Sequence, residues 1–469
     1  MYKFGLTFFK VALPILVMPY VYRQIIPEDM GRVGYVLTVM TYFYILGDFG
    51  LYIYGFREVI LLKEKRETLN KFFSETFLLR SSINFCILIL YLCFVLMYND
   101  SDISPLFYYI AGIQIIGTFF NVEWFYEGLE KFRFITIKTI IIRIISVLLI
   151  FIYVRGEEAP LYYLLITSLF VLFNNIFSFL ILLKKKIVTL SYYGKMEIRS
   201  HLKRMGYIFI TINGVMLFFQ LDKLILGMND DLVGVGFYSL NERIITIITS
   251  LLFSVIVVLT PRLGENLINN PSEYSLNIKK SLNIIYLLLF PLTFFIFSTS
   301  FEILYIIGGK DYINSKSLLQ LFSIYIITYT LLEVIKSNIL ILYRRERIYF
   351  IIILAAGIIN LIIKILFGED MSANIILLTT LIVSVLATLL LGIYIKKTLN
   401  INLLQVEITR YFIISLPLFL LGMISIDSVF ISLLTKISIA GIYYFSMLLL
   451  IKDKILNEIL QRLSIKAGK

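Results

Sequence analysis

Apolar residues fill this chain in blocks of about 20, the length a helix needs to cross a bilayer core of roughly 30 Å. Short polar turns separate the blocks. The pattern predicts fourteen transmembrane helices, over 5–26, 33–56, 77–97, 104–126, 134–154, 161–183, 206–227, 235–260, 281–306, 317–342, 348–367, 373–395, 410–426 and 428–451. Every connection is short. Alternating-polarity segments of the kind that build membrane barrels are not seen, so the fold class expected is all-α and integral to a membrane.

Charge in the turns orients the helices, because Lys and Arg resist translocation. One set of connections carries Lys63, Lys65, Arg66 and Lys71, then Lys131 and Arg133, then Lys184, Lys185, Lys186, Lys195, Arg199, Lys203 and Arg204. The same side continues with Lys279, Lys280, Arg344, Arg345, Arg347, Lys396 and Lys397, and a tail with Lys452, Lys454, Arg462, Lys466 and Lys469. The alternate connections are poor in cations, which puts both termini in the cytosol. Positive-inside loops also account for the net charge of +12, so no nucleic-acid partner is expected.

The basic connector at 185–205 divides the first twelve helices into two sets of six. Four segments are expected: a six-helix lobe over 1–184, the linker 185–205, a second lobe over 206–397, and two accessory helices with a basic tail over 398–469. Pro27-Glu28-Asp29-Met30-Gly31-Arg32-Val33-Gly34 is matched by Asn229-Asp230-Asp231-Leu232-Val233-Gly234-Val235-Gly236. An even number of crossings per lobe makes such a repeat parallel, about a pseudo-two-fold axis along the membrane normal.

Composition agrees: 59% of residues are hydrophobic, 16% are charged, and the mean hydropathy is +0.90. The two cysteines, Cys86 and Cys93, lie seven apart in one apolar run, too far to bridge within a helix. His201 is the one histidine and falls in the basic connector, so neither a metal site nor a cofactor is expected. The first apolar run is too long for a cleavable signal.

Charges inside the spans are informative because each costs a few kcal/mol unless it meets water or a partner. Lys10, Arg143, Asp222, Lys223, Arg243, Glu333, Lys336, Lys364 and Lys436 are of this kind. Arg143 lies nearest the middle of its span. Arg143, Lys10, Lys223, Lys364 and Lys336 would give a cationic cavity suited to an anionic phosphate headgroup. Pairing or snorkelling is the plainer role for each, and Glu333 with Lys336 could neutralise one another at i and i+3. Asp222 and Glu333 are candidates for counter-ion or ion carrier. Buried amides such as Asn84, Gln114, Asn174, Asn175, Asn213, Gln220 and Asn360 suit either sugar hydroxyls or interhelical bonds. Pro14, Pro19 and Pro291 are candidate hinges.

Gly47-Asp48-Phe49-Gly50-Leu51, followed by Gly55-Phe56-Arg57-Glu58, resembles the end of the second helix in polysaccharide flippases of the Wzx type. Glu123-Trp124-Phe125-Tyr126-Glu127-Gly128, continuing to Lys131-Phe132 and Ile135-Thr136-Ile137-Lys138, resembles that family's most specific signature. Val235-Gly236-Phe237-Tyr238-Ser239-Leu240 and Pro261-Arg262 resemble its eighth helix. Asp48, Gly50, Arg57, Glu58, Glu123, Trp124 and Gly128 are therefore the motif residues. The acidic residue that the family often carries near span twelve is missing from 378–386.

The resemblance implies the two-lobed fold of multidrug and toxin extruders (MATE), within the multidrug/oligosaccharidyl-lipid/polysaccharide exporter superfamily. It implies a cargo of undecaprenyl-pyrophosphate glycan, moved by alternating access across a bacterial inner membrane. H+ or Na+ as coupling ion, membrane lipid and the polysaccharide polymerase machinery are the other partners it suggests. No enzymatic step is expected. A MATE-type drug or cation antiporter is the nearest alternative, and a membrane glycosyltransferase or polymerase a more distant one. Such an enzyme needs a large external loop, and none here exceeds about ten residues.

Overall fold

The computed structural model describes residues 2–97, 102–190, 197–209, 220–367, 371–403, 406–458 and 461; side chains are described from residue 13 onward, except at 271, 272 and 406. All regular structure among the described residues is helical. Eleven helical stretches there are long and apolar enough to cross a membrane. The chain divides into two compact units, Met1–Ser239 and Leu240–Lys469.

The first unit opens with α1, Tyr2–Gln24, and α2, Pro27–Asp48. Pro27 starts α2 with its fixed φ, and Glu28 and Asp29 occupy the first turn, where the helix dipole favours negative charge. The acidic segment expected as a turn is thus the beginning of the helix itself. Arg32 grips both carboxylates, at 2.6 and 2.5 Å. The start of the matching segment, in α11 (Leu232–Asn269), packs directly on it. A Cβ on Gly31 would lie 1.8 Å from the Leu232 carbonyl oxygen, and one on Gly236 would lie 1.9 Å from that of Pro27. Gly31 and Gly236 are there because the backbones touch.

The single helix predicted over 33–56 is broken. Phe49 and Gly50 adopt left-handed φ values of 44° and 77°, after which α3 runs over Leu51–Leu62. The span at 104–126 breaks likewise, into α5, Pro105–Phe119, and α6, Glu123–Gly128. Three long helices pass unbroken: α4, Arg66–Met97; α7, Phe132–Tyr153; and α8, Ala159–Lys184. A core of aromatic and aliphatic residues joins these pieces. Trp124 stacks near Phe73 and meets Phe72 edge-on, while Val59, Leu69, Phe125, Phe179, Leu182 and Met205 complete the cluster. Met205 comes from α9, Ile198–Ile208, so part of the expected linker is helix. His201 is not a loop residue. It is buried, with Nδ1 2.7 Å from the Tyr54 hydroxyl and Nε2 2.8 Å from Glu75. The core of the predicted span 206–227, with Asn213, lies outside the described residues; its end is α10, Leu221–Met228.

In the second unit, α12, Pro271–Ser298, packs on α14, Lys316–Val334, which in turn packs on α16, Ala373–Leu399. The span predicted over 281–306 is α12 followed by α13, Ser300–Gly308. A π-helical turn, Ile335–Leu340, closes α14, and α15 is Glu346–Phe367. The 410–426 segment is α17, Val406–Ser415, continued as a 3-10 helix, Leu416–Met423. Helix α18, Val429–Leu450, docks on α13 through a buried ion pair between Lys436 and Glu302, with Ser432 donating to the same carboxylate at 3.0 Å. Pro14, Pro19 and Pro291 all sit inside helices that continue past them.

Candidate functional site

Both helix breaks in the first unit lie against one point on α4. Arg80, 2% exposed, donates from Nη1 to the Asn121 carbonyl at 2.8 Å, in the break between α5 and α6. Its Nη2 lies 3.5 Å from Asp48 Oδ1, at the break between α2 and α3. One turn along α4, Asn84 donates to the Gly47 carbonyl at 3.2 Å and accepts from Thr118 at 2.5 Å. Two residues spaced i, i+4 therefore brace both interruptions, which frees backbone groups that a continuous helix would satisfy internally.

The α6 start is held by its own side chains. Asn121 Oδ1 accepts from the Glu123 amide at 3.2 Å, and the Trp124 indole donates to the Asn121 carbonyl at 3.2 Å. Glu123 then reaches Lys138 of α7 at 3.1 Å and accepts from Asn174 of α8 at 2.8 Å. Lys138 also donates to the Asn174 carbonyl and to the Ser178 hydroxyl, at 2.8 and 2.6 Å. Tyr44 lies among Asp48, Arg80, Asn121 and Glu123, and Tyr52 lies beside Glu123 and Glu127. The result is a polar belt of alternating charge, formed by α2 through α8, above the aromatic core.

The structure brings the motif residues together. Asp48, Glu123 and Trp124 belong to the belt. Gly50 takes a positive φ at the break and lies against Met205 and Phe209. A Cβ on Gly55 would lie 2.4 Å from the Trp124 ring, and one on Gly128 would lie 2.6 Å from Val59. Glu58 pairs with Arg204 at 3.4 Å, and Arg57 is exposed on α3.

Of the cationic candidates, Lys10, Arg143 and Lys223 belong to the first unit, and Lys336 and Lys364 to the second. Arg143, half-buried on α7, lies over the Phe170 ring at 4.6 Å. Lys223 is half-buried in α10, beside Asp222, which is 2% exposed and accepts from the Tyr238 hydroxyl at 2.6 Å. Lys336 pairs with Glu333 at 2.5 Å, and Ser337 donates to the same carboxylate at 2.6 Å. Lys364 is 1% exposed and donates to Thr380 at 2.7 Å. Lys10 belongs to α1, and its side chain lies outside the described residues. Among the described residues, no three His, Cys, Asp or Glu converge as a metal site requires.

Arg80 and Lys138 were not among the span charges read as candidates, since both fall near predicted span ends, where long cations reach water. Their partners gave the available signal. Asp48 and Glu123 stand in apolar surroundings and each needs a cation.

A search of curated proteins matches a chain from Escherichia coli K12 named "Putative O-antigen transporter", 21% identical over 75% of this chain and 85% of that protein. A Shigella dysenteriae protein of the same name is 22% identical over 54% of this chain and 63% of its own length. Among solved structures, the lipid II flippase MurJ in an inward closed conformation matches with a TM-score of 0.78 at 16% identity, over 97% of this chain and 99% of that one. An inward-facing MATE-family multidrug resistance transporter of the MOP superfamily matches with a TM-score of 0.64 at 12% identity, over 83% of this chain and 94% of its own. These likenesses establish the fold. The family model described as polysaccharide biosynthesis protein matches residues 2–267, more than half of the sequence, and the chain belongs to that family.

Proposed function

We propose that this protein is a flippase that carries an undecaprenyl-pyrophosphate-linked oligosaccharide from the cytosolic to the outer leaflet, by alternating access, for cell-surface polysaccharide synthesis. The observation that carries the reading is the extent of the MurJ-like fold. It covers 97% of the chain with a TM-score of 0.78, whereas two MATE-like matches cover 83% and 88% with TM-scores of 0.64 and 0.54. Membership in the polysaccharide family supports the same cargo class. We take the architecture to be fourteen spans in two six-helix lobes related by a parallel repeat, with two further helices, both termini being in the cytosol of a bacterial inner membrane.

A glycan cannot enter hydrocarbon without several kcal/mol lost per unpaired polar group, of order 2–7. A polar path removes that cost while the polyprenyl chain stays in lipid. Arg143, Lys10, Lys223, Lys336 and Lys364 are proposed to meet the pyrophosphate along that path. Moving negative charge outward runs with an inside-negative potential, worth about 2.3 kcal/mol per charge per 100 mV. H+ or Na+ coupling at Asp222 or Glu333 would add to this, and delivery to a polymerase outside follows from the direction of transport. No catalytic step is assigned.

The test is to deplete the protein and probe lipid-linked oligosaccharide in intact spheroplasts with a membrane-impermeant glycan-modifying reagent. Cargo trapped on the cytosolic leaflet is the expected result. Outer-leaflet cargo appearing at the wild-type rate would sink the reading. The buried Asp222 and the half-buried Glu333 also suit a cation-coupled drug antiporter, for which loss of drug resistance with normal cargo translocation would be decisive.

A further inference from the structure

Lys138 has three ammonium donors, and three oxygens surround it: Glu123 Oε1 at 3.1 Å, the Asn174 carbonyl at 2.8 Å and the Ser178 hydroxyl at 2.6 Å. Lys138 is buried, and its oxygens come from two elements. Glu123 lies at the start of α6, while Asn174 and Ser178 are one turn apart on α8 and Lys138 itself rises from α7. Further hydrogen bonds surround Glu123: Asn174 Nδ2 donates to Oε1 at 2.8 Å, and Thr139 donates to Asn174 Oδ1 at 3.1 Å.

A carboxylate oxygen, a backbone carbonyl and a hydroxyl form the donor set that takes hard monovalent cations out of water. We infer that Glu123, Asn174 and Ser178 form a monovalent-cation cage, and that the chain fills it permanently with the Lys138 ammonium. Lys138 is thus a resident counter-cation. A lysine kept only for packing would leave its nitrogen free to reach water, as long cationic side chains near helix ends do. Here the ammonium turns inward and spends every donor on the cage.

The consequence for transport rests on the flippase reading, but the cage does not. If cargo movement is coupled to a solution cation, that ion acts at a carboxylate other than Glu123. Removing the ammonium while keeping the oxygens would make Glu123 demand a substitute, either a metal ion or a proton, because a half-buried carboxylate left without its cation is penalised. The titratable groups facing Glu123 are Tyr44 from α2, Tyr52 from α3 and Lys138 from α7, with only Asn174 from α8.

The experiment uses the full-length protein in detergent micelles. Thermal unfolding is followed in sodium, potassium or choline chloride at equal ionic strength, at one pH on each side of neutrality. Wild type and Glu123→Gln are expected to be indifferent to the choice of cation. Lys138→Met is expected to gain a Tm rise of several degrees when Na+ or K+ replaces choline, or when the pH is lowered, since a ligand bound only by the native state raises its stability. The double variant Lys138→Met/Glu123→Gln should lose that gain. Two results overturn the inference: a folded, monodisperse Lys138→Met that responds to neither cation nor proton, or a wild-type response to Na+ or K+ that Glu123→Gln abolishes. Should Lys138→Met fail to accumulate, Lys138→Ala, which also keeps the oxygens and removes the ammonium, is read by the same two outcomes.

Discussion

Arg80→Met is the perturbation that tests the polar belt most directly. It keeps the length and apolar stem of the side chain but removes the one cation that reaches both helix breaks. Asp48 is left with the long contact from the Tyr52 amide, at 3.5 Å, and the Asn121 carbonyl loses its charged donor. Removing one member of a buried ion pair costs about 3–5 kcal/mol. The lower end applies here, because the Asp48 side chain is 14% exposed and its contact with Arg80, at 3.5 Å, is longer than a hydrogen bond between charges. A loss of about 3 kcal/mol corresponds to a fall in midpoint of roughly 6–12 °C for a unit of some 200 residues. The assay is built into the sequence. Trp124 is the only tryptophan, and its indole donates to the same Asn121 carbonyl that Arg80 holds. Its fluorescence through a thermal ramp therefore reports on the belt itself. Arg80→Met/Asp48→Asn, which removes both charges, should recover roughly 1–3 kcal/mol through the coupling of the two sites. A single variant within about a degree of wild type would refute the bracing role, as would a double variant whose loss equals the sum of the two singles.

Three further outcomes are expected. Gly55→Ala places a methyl group 2.4 Å from the buried Trp124 ring, and should cost about 1–3 kcal/mol and shift the tryptophan emission. His201→Phe removes the bonds to Tyr54 and Glu75 that hold α9, so trypsin should cut at Arg199, Lys203 and Arg204 several-fold faster, as read on a gel. Arg143→Ala should abolish cargo translocation while Arg143→Lys retains part of it, measured by complementation of a deletion strain. Equal activity of Arg143→Ala and wild type would remove Arg143 from the cargo path.

Hydropathy predicted the helical stretches well because bilayer thickness dictates their length whatever the side chains. The interruptions were hidden for the same reason. Phe49, Phe120 and Val122 are as apolar as the helices they divide, and no proline marks either place. What breaks α2 is a left-handed Phe-Gly pair, and what makes the break affordable is Arg80, which lies 30 residues further along the chain. Lys138 was visible within a motif, but only the packing of α6, α7 and α8 showed it to be enclosed. His201 was misjudged because its basic neighbours read as a solvated connector, although α9 presents it inward. Pro14, Pro19 and Pro291, the candidate hinges, lie inside helices, where each removes a backbone hydrogen bond.

The tie between α13 and α18 bears on how the molecule is made. Glu302 and Lys436 are separated by 134 positions, so the carboxylate leaves the ribosome long before its cation exists. Until α18 inserts, the half-built protein carries an acidic group with no basic counterpart. Chains cut short anywhere before that lysine keep this defect for good. A quality-control protease that senses exposed charge at membrane depth could therefore tell a finished copy from an abandoned one by the state of a single glutamate.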